Sequence, residues 1–185
     1  MIEELIRRRR SVFPDQYNDQ PVDRATLFRI LEAANWAPTH KRTEPWRFKV
    51  IAGEKREQLG AFLRDTYLEK DPAPKQFKAK KLYNNPQKAA AVIAICLQRD
   101  PEERVPEWEE VASVAMAVQN MWLVCTELGI GSYWSSPGLI RYMDGFFDLA
   151  AGERCLGFFY LGYFDAEHAP PEGTREPLSE KVVWM

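Results

Sequence analysis

Apolar and polar positions along the chain follow two periods, and the switches between them mark the elements. Ile2, Leu5 and Ile6 fall at helical spacing, so a short first helix runs into Arg7–Arg10. Asp23 stands as an N-cap before Leu27, Ile30, Leu31 and Ala34 on one helical face, and Pro38 forces the stop. Trp46–Ile51 sets large apolar residues against Arg47 and Lys49, the pattern of a half-buried strand. Helical spacing returns over 54–70 through Leu59, Phe62, Leu63 and Tyr67, and a further helical piece covers Lys75–Tyr83. Ala89–Leu97 is short and continuously apolar, as a strand covered on both faces would be. Glu107–Leu128 is the longest helix, apolar at Val111, Val114, Ala115, Val118, Met121, Trp122 and Cys125, with Gly129 closing it at the C′ position. A strand at Gly131–Trp134, a helix around Leu139–Phe147 and a strand at Leu156–Gly162 follow.

These elements sum to a three-layer α+β domain in which helices cover a small, mainly antiparallel central sheet. Residues 1–165 form the core. Residues 166–185, with three prolines and many charges, form an extended arm ending in the apolar Val182–Met185. An arm with so little regular pattern does not recover its ordering entropy alone, so a partner subunit is expected to hold it.

The 185 residues are one domain's worth, enough to bury roughly 70% of the unfolded surface without disulfides or metal. A net charge of −2 and the absence of a domain-wide basic face argue against a nucleic-acid partner. The longest apolar run is less than half a membrane span, so no membrane is expected. Polar Pro14–Gln20 follows the arginine cluster where an export signal would need apolar residues, which points to the cytoplasm. Cys96, Cys125 and Cys155 each lie in apolar stretches and read as reduced core thiols. With only His40 and His168, a multi-histidine metal site is excluded.

No phosphate loop, dinucleotide fingerprint, nucleophile elbow or zinc motif occurs. A catalyst built this way borrows its chemistry from a cofactor. Three segments could hold one. Arg9, Arg10 and Ser11 offer two guanidinium forks and a hydroxyl to a terminal phosphate. Arginines also suit a helix C-terminus, and on composition alone that is the simpler account. Trp36 to Lys41, followed by Glu44 to Phe48, is a polar loop that can present Trp36, Thr39, His40 and Lys41 to a ligand, or simply join helix to strand. Gly129 to Ser136 lets backbone pass close to something flat, lined by Trp134, Ser135 and Ser136, or is a helix stop before a core strand.

Taken in order, the segments resemble the flavin-dependent nitroreductase family, especially its short bacterial members. The matching residues are R-R-S at Arg9–Ser11, A-P-T-H-K at Ala37–Lys41 and E-P-W-R-F at Glu44–Phe48. They continue with A-x-A-V-Q-N-M from Ala115, L-G-I-G-S-x-W-x-S from Leu128, G-x-x-x-L-G-Y from Gly157, and the tail at Arg175–Leu178. The resemblance implies a homodimer with exchanged arms and FMN at the interface. Arg9, Arg10, Ser11 and Arg175 would then hold the phosphate and ribityl chain, and Trp134, Ser135 and Ser136 would line the ring. Trp36, Thr39, His40 and Lys41 would reach it from the other subunit. It also implies electron transfer from NAD(P)H through FMN to a small oxidant such as a nitroaromatic or quinone, in ping-pong order; the sequence supplies no compelling protein acid or base, His40 being the one nearby candidate. Four positions depart from the family pattern: Glu44 for Gln, Arg42 for Asn, Phe13 for a base and Gly173 for Lys. Two alternatives stand beside this reading, a flavin-binding protein without robust turnover and an arginine cluster that touches an acidic partner protein.

Overall fold

The computed structural model describes residues 1–185. Four strands, β1 (Trp46–Ile51), β2 (Ala91–Gln98), β3 (Ile130–Ser135) and β4 (Glu153–Tyr163), form one sheet in the order β1-β2-β4-β3. Every pairing is antiparallel. β2 lies inside the sheet, and its seven residues Ala91–Leu97 are all buried. Side chains alternate across a strand, so Ala91, Ile93, Ile95 and Leu97 enter one apolar layer while Val92, Ala94 and Cys96 enter the other.

The first layer is completed by α2 (Arg24–Asn35) and α5 (Glu107–Glu127) through Leu27, Ile30, Ala34, Val114, Val118 and Met121. The second is completed by α3 (Lys55–Lys70), α4 (Gln76–Lys88) and a 3-10 segment at Gly138–Gly145. The arrangement is three-layered, as expected, and α1 (Ile2–Arg8) lies against α5.

Several boundaries differ from the sequence expectation. α1 ends at Arg8, so Arg9 and Arg10 follow the helix instead of closing it. α4 continues past Tyr83 through Asn84, Asn85 and Pro86, poor helix formers that packing against α3 holds in place. Gly60 allows that approach, because a Cβ there would strike the Tyr83 carbonyl. The segment around Leu139–Phe147 is 3-10, bounded by Gly138 and Gly145, and still buries Leu139 and Met143. β4 starts at Glu153, and Ala115 on α5 faces outward. Asp23 accepts Thr26 N at 2.7 Å as an N-cap, and Gly129 leaves α5 with φ +69°.

Two local features interrupt this regular framework. Between Ile95↔Gly157 and Cys96↔Cys155 the register slips, leaving Leu156 as a bulge in β4. Gly157 has φ +148°, and a Cβ on it would meet the Trp134 indole nitrogen and lie 2.5 Å from Ser135 O. The second feature is a charged knot before α5. Fully buried Glu110 takes Arg99 and the Asp100 N–H (3.0 Å), while Asp100 takes the Arg104 guanidinium at 2.8 and 3.2 Å.

Gly157→Ala is expected to destabilise the chain by about 2–4 kcal/mol, from backbone strain plus overpacking, measured as a lowered denaturant midpoint. The Arg104 hydrogen bond lowers the Asp100 pKa to about 2 from 3.8. The stabilisation is therefore present above the unfolded value and is lost as pH falls from about 4 towards 2. Asp100→Asn should flatten the fall of melting temperature over that window; an unchanged slope would refute the assignment.

Candidate functional site

After α1 the chain runs extended beside β3, with Val12 N donating to Ser132 O at 3.1 Å. That contact aligns Arg9, Arg10 and Ser11 with the strand that ends in Trp134 and Ser135. Arg9 lies over the Trp122 ring of α5 at 4.6 Å. The Trp122 indole N–H reaches Ser132 O at 3.1 Å and Arg10 O at 3.3 Å, tying all three elements together. The arm then folds back: Arg10 Nε donates to Pro171 O at 3.2 Å.

The result is an open cleft of 770 Å³ whose lining includes Arg9, Arg10, Arg175, Gln119 and Gly173. Glu4 and Glu172 also border it, yet none of the three arginines forms an ion pair. Partial burial, followed by repulsion from Arg175 and Arg10, lowers the Arg9 pKa from its ordinary value. Guanidiniums gathered without a counterion are a donor set that a phosphate dianion relieves. Gly173 is part of this geometry, since a Cβ there would lie 3.0 Å from the Arg10 guanidinium.

Trp134 is half-buried, with its indole N–H on the Leu156 bulge carbonyl at 3.3 Å; Ser135 is half-buried and Ser136 exposed. The Arg9–Ser11 segment thus meets β3 at Ser132 within one chain, while Ser136 borders a separate cleft with Arg141 and Cys155. The third segment does not join them. Thr39 Oγ1 takes the Glu44 N–H at 3.1 Å, His40 Nδ1 lies 2.5 Å from Glu109, and Lys41 donates to Arg104 O at 2.9 Å. Glu109 and Trp122 are 13 residues apart on α5, about 20 Å at the helical rise of about 1.5 Å per residue. His40, with Lys41 beside it, therefore stands about 20 Å along α5 from the Arg9–Trp122 contact, whereas Trp36 follows the Ala33 carbonyl that accepts from Asn120 Nδ2 at 3.0 Å. Lys41, Arg42 and Glu44 all have positive φ, so the loop is held in a shape that costs energy.

Trp122 and Gln119 escaped the sequence reading as site residues because on α5 their spacing marks them only as helix-face residues. The positive φ values in the loop left no trace in its residue types. Asp165, Glu167 and His168 gather at the start of the arm, all exposed. No helix is long and apolar enough to cross a membrane.

Comparison with known proteins places this geometry. The chain is 30% identical over its whole length to the provisionally named NAD(P)H nitroreductase YfhC of Bacillus subtilis, covering 94% of that protein. A solved nitroreductase-like family protein from Bacillus cereus superposes with a TM-score of 0.87 at 31% identity, over 100% of this chain and 96% of that one. In fold it also matches the FMN-dependent nitroreductase NfnB of Mycobacterium smegmatis, solved with NADPH, at a TM-score of 0.79 and 19% identity over 100% and 97%. The profile of the Nitroreductase family spans residues 6–163. With that match over most of its length, the chain belongs to the nitroreductase family.

Proposed function

We propose that the chain is an FMN-dependent oxidoreductase that takes electrons from NAD(P)H and passes them to a small oxidant such as a nitroaromatic or a quinone. The observation that carries this reading is the cleft in which Arg9, Arg10 and Arg175 meet without a carboxylate partner. It has the charge and the donors for the phosphate of FMN, and Ser11 lies next in the chain. The names of the relatives support the same cofactor pair.

In this reading bound flavin would supply the redox chemistry between the nicotinamide and the oxidant. The arginines anchor its phosphate end. Trp134, Ser135 and Ser136 lie along the ring, with Trp134 oriented by the Leu156 carbonyl. Trp36, Thr39, His40 and Lys41 reach the ring from a second copy of the chain, which the separation along α5 supports. Exposed Phe28 on α2, Trp36 at its C-cap, and Trp108 and Met116 on α5 give that second copy apolar side chains to cover. The arm ends in exposed Val183, Trp184 and Met185, as expected of a segment that packs on a partner. Donor and oxidant then share one open face in turn, which predicts ping-pong kinetics.

The purified chain should show oxidised-flavin absorption and release about one FMN per chain on heating, with bleaching by NAD(P)H and recovery on adding a quinone. A hydrogen bond to a charged group is worth about 1.5–3 kcal/mol, so Arg9→Ala should weaken FMN binding roughly 10- to 150-fold. A colourless chain that takes up no added FMN would overturn the reading; bound FMN without turnover would leave a flavin-binding protein. Deletion after Pro170 should yield a monomer that has also lost flavin, read by light scattering and absorption; a flavin-loaded truncated dimer would remove the arm from both roles.

A further inference from the structure

Cys96 and Cys155 oppose each other directly across β2 and β4, at the step where the register slips around Leu156. Both side chains enter the same apolar layer. Facing residues of an antiparallel pair have Cα atoms about 4.5–5.5 Å apart. That separation falls inside the span of about 4.4–6.8 Å that a disulfide bridges. The Cys155 thiol donates to Gly157 O at 3.5 Å, within the bulge itself. The Glu153 side chain, only 6% exposed, lies beside them, 2.8 Å from Lys49 Nζ.

The two sulfurs differ in access. Cys96 is fully buried, whereas Cys155 lines a cleft of 470 Å³ together with Ser136, Arg141 and Glu153. Cys125 lies in the opposite layer on α5, where burial pushes its thiol up to about 12. The chain thus holds one paired and solvent-reachable set and one isolated thiol that serves as an internal control.

We propose that Cys96 and Cys155 form a redox-active dithiol that a hydroperoxide, entering the cleft, converts to an intramolecular disulfide. Cys155 reacts first. Its sulfur attacks one peroxide oxygen and the O–O bond breaks; the departing oxygen takes the thiol proton, leaving Cys155 as a sulfenic acid. Cys96 sulfur then attacks Cys155 sulfur, the S–O bond breaks, and hydroxide leaves as water with the Cys96 proton. The Glu153 carboxylate beside Cys96 can carry that proton. In sum, two thiols and one hydroperoxide give one disulfide, one water and one alcohol, or a second water from hydrogen peroxide. Cys155 lines the cleft and Cys96 does not, and the interaction between the two thiols lowers the Cys155 pKa and raises that of Cys96; both suit this order of attack.

Closing the bond turns the Cys155 side chain at the bulge. The next residue in β4, Leu156, holds the Trp134 indole N–H through its carbonyl, so the disulfide shifts Trp134. The thiol chemistry is independent of the proposed cofactor. Only the consequence at Trp134 bears on the flavin reading.

The test uses the full chain, reduced with dithiothreitol, freed of it and treated with hydrogen peroxide. Thiols are then counted in denaturant, and peptides are mapped without reduction. Two of the three thiols should disappear, with Cys96 linked to Cys155, and dithiothreitol should restore all three. In Cys96→Ala, Cys155 should instead be trapped by dimedone as a sulfenic acid. Three persisting thiols, over-oxidised Cys155 without a link, or a bond to Cys125 or between chains would each overturn the proposal. Oxidation should change tryptophan fluorescence in the wild type and not in Trp134→Phe; an equal change in both would remove the coupling to Trp134. Thiol counts and peptide maps read the same on colourless and on flavin-loaded chain, so they stand or fall apart from the cofactor.

Discussion

Burial of β2 and the middle of β4 between two layers of helices is the constraint on which the other parts of the molecule depend. Both faces of β2 are sealed, so no strand residue from Ala91 to Leu97 can change its side without exposing apolar surface or burying something charged. That fixes the register of the neighbouring strands. β3 then lies at one edge, where the extended segment after α1 can pair with it through Val12 and Ser132. The arginine cleft is a consequence of this edge, since Arg9 and Arg10 lie just before the paired residue.

The single irregularity in the sealed pair has a large local effect. The Leu156 bulge turns one carbonyl towards Trp134, and only glycine fits at position 157 beneath the indole and the Ser135 carbonyl. The same slip brings Cys96 and Cys155 face to face. A core strand pair, an indole on the candidate site and a dithiol are thus mechanically one unit, because a packed interior transmits displacement instead of absorbing it.

Charge organises the other end of α5. The Arg99–Glu110 and Asp100–Arg104 pairs hold residues 99–105 against the helix start. Arg104 O and Glu109 then anchor Lys41 and His40. The loop is fixed by its neighbours and not by its own preferences, as its three departures to positive φ at Lys41, Arg42 and Glu44 indicate. In contrast, Arg9, Arg10 and Arg175 have no carboxylate partner, and that asymmetry is what the proposed phosphate site rests on.

Hydrophobic period alone located β1 to the residue, both faces of β2, the cap at Asp23 and the glycine stop after α5, because these depend on local spacing and local backbone freedom. The order of motifs also placed the chain in its family, and Arg9, Arg10 and Arg175 were legible as a candidate phosphate set. What the sequence could not determine was anything set by contact between distant segments. The extension of α4 through Pro86 came from packing against Gly60, the role of Trp122 from the segment after α1 crossing α5, and that of Gly173 from the return of the arm. The pairing of Cys96 with Cys155 needed a bulge whose register is decided only when two layers of side chains close over it. Local spacing encodes which face of an element is apolar; which residues meet across the core is settled by the one packing that leaves no void and no unpaired charge.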